Sequence, residues 1–243
     1  MKNRTFSALT VAAFLAASAA LVGCSKQAPE QGEQKTSAPA SDVIKIGVFQ
    51  PLTGANSAGG ADELEGIKLA NKLYPTALGK KVELVIVDNK SDKVEAANAA
   101  TVLTQKEKVN AVLGSWGSSL SMSGGPIFAE AKIPAVALSA TNPNVTKGNE
   151  YYFRVCFLDP FQGTVGAAYA YNTLKAKKVA IIREVSNDYS VGLTKYFVDN
   201  FVKLTGDDKA AVATADYNTD AQDSSAPLTN SNQHNPHVIF APP

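Results

Sequence analysis

Residues able to hold a small charged molecule gather behind two apolar runs. VNAVL (109–113) leads into Gly114-Ser115-Trp116-Gly117-Ser118-Ser119, and the wider stretch GSWGSSLSMSGG (114–125) carries five serines and four glycines with almost nothing to bury. A helix beginning near Ser118 would bring free N–H groups and hydroxyls to one point, an anion site that needs no cation. Ser118 equally suits the capping of its own helix. The next run, IPAVAL (133–138), ends in Ser139-Ala140-Thr141-Asn142-Pro143. There Thr141 offers a hydroxyl and an N–H while the Ser139 carbonyl is an acceptor. Such a turn suits an oxyanion and an ammonium together, the two groups that an α-amino acid carries on one carbon. An ordinary Asx turn before proline is the competing account of the same residues.

These turns need strands and helices to aim them. Apolar runs predict strands at 43–49, 81–87, 109–113, 133–138, 177–182 and 237–241, with a weaker one near 209–217. Helical stretches fall between them, near 60–74, 92–107, 119–131, 161–175, 188–204 and 223–233. In the second of these, Val94, Ala97, Thr101, Leu103 and Thr104 fall near one face, with Lys93, Glu95 and Lys106 toward water. Strand–helix alternation predicts an α/β fold, a parallel sheet with helices on both faces. In such sheets ligands bind outside the carboxyl ends of the strands, where both serine-bearing turns lie. TNPNVTKGNEYYFRV and LDPFQG read as irregular segments crossing to a second unit, with a boundary near 157–163.

The 243 residues carry 23 Lys and Arg against 22 Asp and Glu. The basic residues are dispersed, which excludes the clustered cations that nucleic acid requires. Lys2 and Arg4 precede an apolar stretch, Phe6 to Gly23, as in a secretory signal, with a transmembrane anchor as the competing account. The segment 24–42 that follows has the composition of a flexible tether. Cys156 is the other cysteine, so no disulfide framework is available. It sits in FRVCFL and reads as inert core.

IKIGVFQPLTGANSAGG, VNAVLGSWGSS, IPAVALSATNP and KKVAIIREVSNDYSVG, in this order, resemble successive motifs of the periplasmic branched-chain amino-acid-binding family, the type I solute-binding proteins of ABC importers. The resemblance runs from about Val43 to Tyr217. It implies two Rossmann-like lobes with parallel sheets, 43–158 and 159–243, closing over a ligand. It further implies that Ser118 and Thr141 bind the ligand's carboxylate, that the Ser139-Ala140-Thr141 turn takes the ammonium on the Ser139 carbonyl, and that Tyr189 closes over the ligand from the second lobe. Leu21-Val22-Gly23-Cys24 resembles a lipobox, which implies cleavage of residues 1–23, a lipid on Cys24, and a protein held on the outer side of a membrane beside its permease. Two departures stand out. Asn56 to Gly60 (NSAGG) lacks the side chain that relatives place in the first loop, leaving Trp116 to supply apolar surface or to pack a lobe. The sequence also stops where the second lobe has only begun, so an incomplete lobe with exposed strand edges is expected; Pro227 interrupts its helix, and Ser224 and Ser231 stand where apolar residues are usual.

Other classes find less support. The histidines, His234 and His237, lie far along the chain from every serine turn, and no G-x-S-x-G elbow occurs. No metal-ligand spacing or phosphate loop is present, so neither a metal nor a cofactor is expected. A binder of another small carboxylate or amide, or a ligand-sensing domain on the same fold, is the alternative.

Overall fold

The computed structural model describes residues 42–218 and 225–242. The signal, the tether and Cys24 thus lie outside the described residues, apart from Asp42 and the strand start beside it. The described residues belong to one compact unit, Ser41–Pro243, holding two separate sheets.

The first sheet has strand order β2-β3-β1-β4-β5-β6. β1 (Val43–Gln50) is central; its second half, Gly47–Gln50, is buried. α1 (Ser57–Leu73) carries the chain back, β2 (Thr76–Ala77) and β3 (Lys80–Asp88) form an antiparallel corner, and β3 runs parallel to β1. α2 (Lys93–Thr101) starts where the Asp92 carboxylate accepts the N–H groups of Val94 (2.8 Å) and Glu95 (2.9 Å). Ala96, Ala99, Ala100 and Leu103 are buried in the core, and Val94 is 68% exposed. Of the expected face, Leu103 and Thr104 are buried, whereas Val94 is exposed and Ala96, Ala99 and Ala100 take the inward positions.

α2 ends in a π-turn over Val102–Lys106, and β4 (Ala111–Gly114) enters on the opposite side of β1 from β3. α3 (Ser118–Glu130), β5 (Ala135–Ala137), a 3-10 turn and β6 (Tyr152–Arg154) complete the sheet. β6 corrects the irregular reading of YYFRV. A three-residue edge strand has too little alternation to stand out in sequence. The edge position also leaves Phe153 53%, Val155 73% and Phe157 56% exposed, and Cys156 half-buried, so FRVCFL is not core.

α4 (Asp159–Ala168) leads to the second sheet, order β8-β7-β9, all parallel, from β7 (Val179–Glu184), β8 (Ala211–Tyr217) and β9 (Val238–Phe240). α5 (Asp188–Thr205) begins on the Asn187 cap and ends at Gly206 in the left-handed conformation. α6 (Ser225–Gln233) includes Pro227. The expected interruption does not occur. Ser231 on the same helix is fully buried and its hydroxyl has no partner.

Each sheet has its own aromatic core. Phe128 meets Phe49 edge-on at 5.5 Å and Tyr152 at 6.1 Å under the first. Phe197 stacks between Phe201 at 5.9 Å and Phe240 at 3.8 Å on the second. The glycines of SMSGG serve the first core: a Cβ at Gly124 would lie 2.9 Å from the Phe49 ring, so glycine lets α3 settle onto β1.

Candidate functional site

The winding reverses between β1 and β4, because β1 connects outward to β3 and α2 then crosses back. A crevice opens at such a switch point, beyond the carboxyl ends of the strands. It is bounded by Ala55 and Asn56 after β1, the 114–119 turn from β4, and the turn after β5 that carries Ser139 and Thr141. The start of α5 and the end of β8 close its far side. The cleft measures about 660 Å³ and is lined by Ser118, Ser139, Thr141 and Tyr189 together with Asn56, Trp116, Phe157, Gln162, Asn187 and Tyr217.

Each serine of the 114–125 stretch has a distinct task. Ser121 Oγ donates to the Ser115 carbonyl at 3.0 Å and accepts the Ser115 N–H at 3.2 Å, closing the turn. Ser115 Oγ donates to the Trp116 carbonyl and accepts from the buried Asn89 amide, both at 2.9 Å. Ser123 bonds back to the Ser119 carbonyl. Ser119 reaches across the cleft to Asp188. Ser118 is the first residue of α3, behind Gly117 at the cap, and makes no capping bond. The capping account of Ser118 therefore fails. Its Oγ instead accepts the Asn142 N–H at 3.2 Å, leaving its own proton free to donate. Beside it, the N–H groups of the first turn of α3 have no carbonyl within their own helix.

The second turn is held from behind. Arg154 donates to the carbonyls of Ala140 (2.7 Å) and Asn142 (2.9 Å). Asn142 does form the Asx turn, accepting the Asn144 N–H at 2.9 Å. Ala140 is buried with its carbonyl spent on Arg154, so it shapes the turn and does not line the cleft. The Ser139 carbonyl and the Thr141 hydroxyl remain unpartnered. Behind Thr141 lies Asp159, fully buried, its N–H bonded to the Thr141 carbonyl at 3.1 Å and neither carboxylate oxygen partnered. Burial raises the Asp159 pKa, opposed by the Thr141 hydroxyl, which faces the carboxylate without reaching hydrogen-bond geometry, and by the charge of Arg154. Asp159 and Arg154 were not singled out in the sequence, because each stands in a segment that reads as irregular.

A family model for periplasmic binding proteins matches residues 43–241. The chain belongs to that family. Leucine-binding protein LivK of Thermotoga maritima superposes with a TM-score of 0.78 at 43% identity, over 82% of this chain and 55% of that one. LivJ of Streptococcus pneumoniae, solved in complex with isoleucine, gives 0.75 at 32%, over 83% and 57%. An amino acid binding protein of Pseudomonas aeruginosa is 37% identical over 63% of this chain and 41% of its own. The chain thus spans about two-fifths to somewhat over half the length of these relatives.

The second sheet supplies the facing wall of the cleft through Tyr189, at the start of α5, and Tyr217, at the end of β8. Tyr189 is half-buried, its hydroxyl accepting from Gln162 at 2.9 Å; burial raises its pKa, with Asp159 adding to the shift. Neither histidine serves the cleft chemistry: His237 Nδ1 accepts the Lys177 N–H at 3.1 Å, at the opposite end of β7. Among the described residues no cluster of His, Cys, Asp and Glu could hold a metal ion, and no helix is long and apolar enough to cross a membrane.

Proposed function

We propose that the cleft captures an α-amino acid with an apolar side chain, of the leucine, isoleucine and valine class, and that the protein delivers it to the permease of an ABC importer. The observation that carries this reading is the pairing of unspent groups. The Ser118 hydroxyl and the first-turn N–H groups of α3 form a donor set for the carboxylate, joined by Thr141. The Ser139 carbonyl is the acceptor for the ammonium, and the buried Asp159 carboxylate behind Thr141 adds negative charge on that side. Each hydrogen bond to a charged group contributes about 1.5–3 kcal/mol, so four support micromolar binding after the costs of association. On this reading the hinge lies near Leu158 and Asp159, and Tyr189 moves with the second lobe. A ligand touching both lobes shifts them toward closure, which is the state a permease would read. Residues 1–23 would direct export and a lipid on Cys24 would hold the protein at the membrane's outer face.

Calorimetry with leucine, isoleucine and valine tests the proposal, with 4-methylpentanoate as the control that lacks the ammonium. Leucine should bind at least about tenfold more tightly than 4-methylpentanoate, the difference of one charged hydrogen bond. Equal affinities would make the site one for simple carboxylates.

A further inference from the structure

We propose that Trp116, seated on Gly59, is the residue that sets side-chain selectivity in the cleft, favouring bulky apolar side chains over small ones. The inference rests on the reading of the cleft as an amino-acid site.

Trp116 is fixed at both ends of its backbone. Its N–H donates to Gln50 Oε1 at 2.7 Å, and its carbonyl accepts from Ser115 Oγ at 2.9 Å. Gln50 is itself fully buried and donates to Glu63 at 2.6 Å, so the anchor is tied to α1 as well as β1. The indole then has one place to lie. A Cβ at Gly59 would stand 2.3 Å from Cε2 and Nε1 and 2.7 Å from Cδ2, so the ring rests on the bare backbone of α1.

Nothing about the helix itself asks for glycine there. Gly59 does not have a positive φ, and a glycine inside a helix costs about 1 kcal/mol relative to alanine. Gly60, its neighbour, answers a different need: a Cβ there would meet the Pro51 carbonyl oxygen at 2.0 Å. The two adjacent glycines of NSAGG thus divide the work, one admitting the backbone of β1's end and the other admitting the indole. The indole from the turn after β4 thus lies against α1 and lines the cleft beside Asn56.

Across the cleft from that ring stand Tyr189 and Tyr217, both lining residues from the second sheet, with Phe157 at the rim. An apolar side chain entering the cleft is enclosed by ring surfaces from both sheets. A methyl-sized side chain offers far less apolar surface to such rings than a leucine side chain does. Burial of a leucine-sized group against such a wall corresponds to about tenfold to hundredfold in affinity.

The chain has a single tryptophan, so its fluorescence reports this position alone. The experiment uses the full chain and compares leucine with alanine by calorimetry in the wild type, Trp116→Ala, Trp116→Phe and Gly59→Ala. Trp116→Ala should lower the leucine-to-alanine affinity ratio about tenfold to hundredfold, and Trp116→Phe should restore part of it. Gly59→Ala should lower the same ratio and shift tryptophan emission to the red, because the indole leaves its seat. An unchanged ratio in both Trp116→Ala and Gly59→Ala overturns the inference while leaving the amino-acid site standing. No heat from any amino acid in the wild type overturns both.

Discussion

Ser119 and Asp188 bind each other reciprocally. Ser119 Oγ donates to Asp188 Oδ2 at 2.7 Å and accepts the Asp188 N–H at 2.9 Å, joining the first turn of α3 to the first residue of α5. Lys93 Nζ reaches the same carboxylate oxygen at 2.9 Å, and the Asn142 amide donates to the Asp188 carbonyl at 2.8 Å. The two sheets are therefore held together at the cleft by one short segment. Replacing Asp188 with alanine should loosen that contact. Small-angle scattering of the ligand-free variant should give a larger radius of gyration than the wild type; equal radii would show that the segment does not hold the sheets together.

The same carboxylate gives a pH dependence. Burial works to raise the Asp188 pKa, but Lys93 and Ser119 outweigh it and hold the group below its ordinary value of 3.8. A lowered folded pKa adds stability that is fully present above the unfolded value and is lost as pH falls through the folded one. The contact should thus persist down to about pH 4 and fail below it. Scattering across that range, compared with Asp188→Asn, checks the window.

Ser118→Ala removes a donor to the ligand and leaves the Asn142 N–H without its acceptor. Leucine affinity should fall about tenfold to hundredfold by calorimetry. An unchanged affinity would remove Ser118 from the carboxylate site.

Asp159 should behave oppositely with and without ligand. Its raised pKa means that the folded state favours the protonated form, so the stability this group adds is present below the unfolded value of 3.8 and is lost as pH rises through the folded one. At neutral pH, Asp159→Asn should raise the urea midpoint of the ligand-free protein and weaken leucine binding. A variant that binds leucine normally would make Asp159 a support for Thr141 alone.

Ser231→Ala should stabilise the protein by about 1 kcal/mol, since a buried hydroxyl without a partner costs roughly that much. Urea denaturation followed by circular dichroism measures it, and a lower midpoint would mean that the hydroxyl has a partner in solution.

Much of this was legible because strong local patterns carry it. The seven predicted strands and six predicted helices all occur, since runs such as VIKIGVF and KKVAII fix strand type within a few residues. Ser118, Ser139 and Thr141 could be placed at the cleft because they follow the carboxyl ends of parallel strands, and Tyr189 because SNDYSVG resembles a family motif. What escaped depends on tertiary placement. β6 is three residues long, and Arg154 acquires its role only once β6 sits beside β5. The inward face of α2 is built from small alanines, Ala96, Ala99 and Ala100, while the larger Val94 is left outside. The space beside Gly59 is filled by the indole of a residue 57 positions later, a pairing that no local pattern carries.

The strand orders β3-β1-β4 and β8-β7-β9 are the same winding made twice: a central strand, a neighbour on one side, then a crossing to the other. In that correspondence α5 is the counterpart of α1, whereas the helix it touches across the cleft is α3. The halves of an internally duplicated molecule here meet through unlike parts. A substitution at the start of α5 therefore has no symmetry-related counterpart at the contact, and each half can be altered there without a matching change in the other.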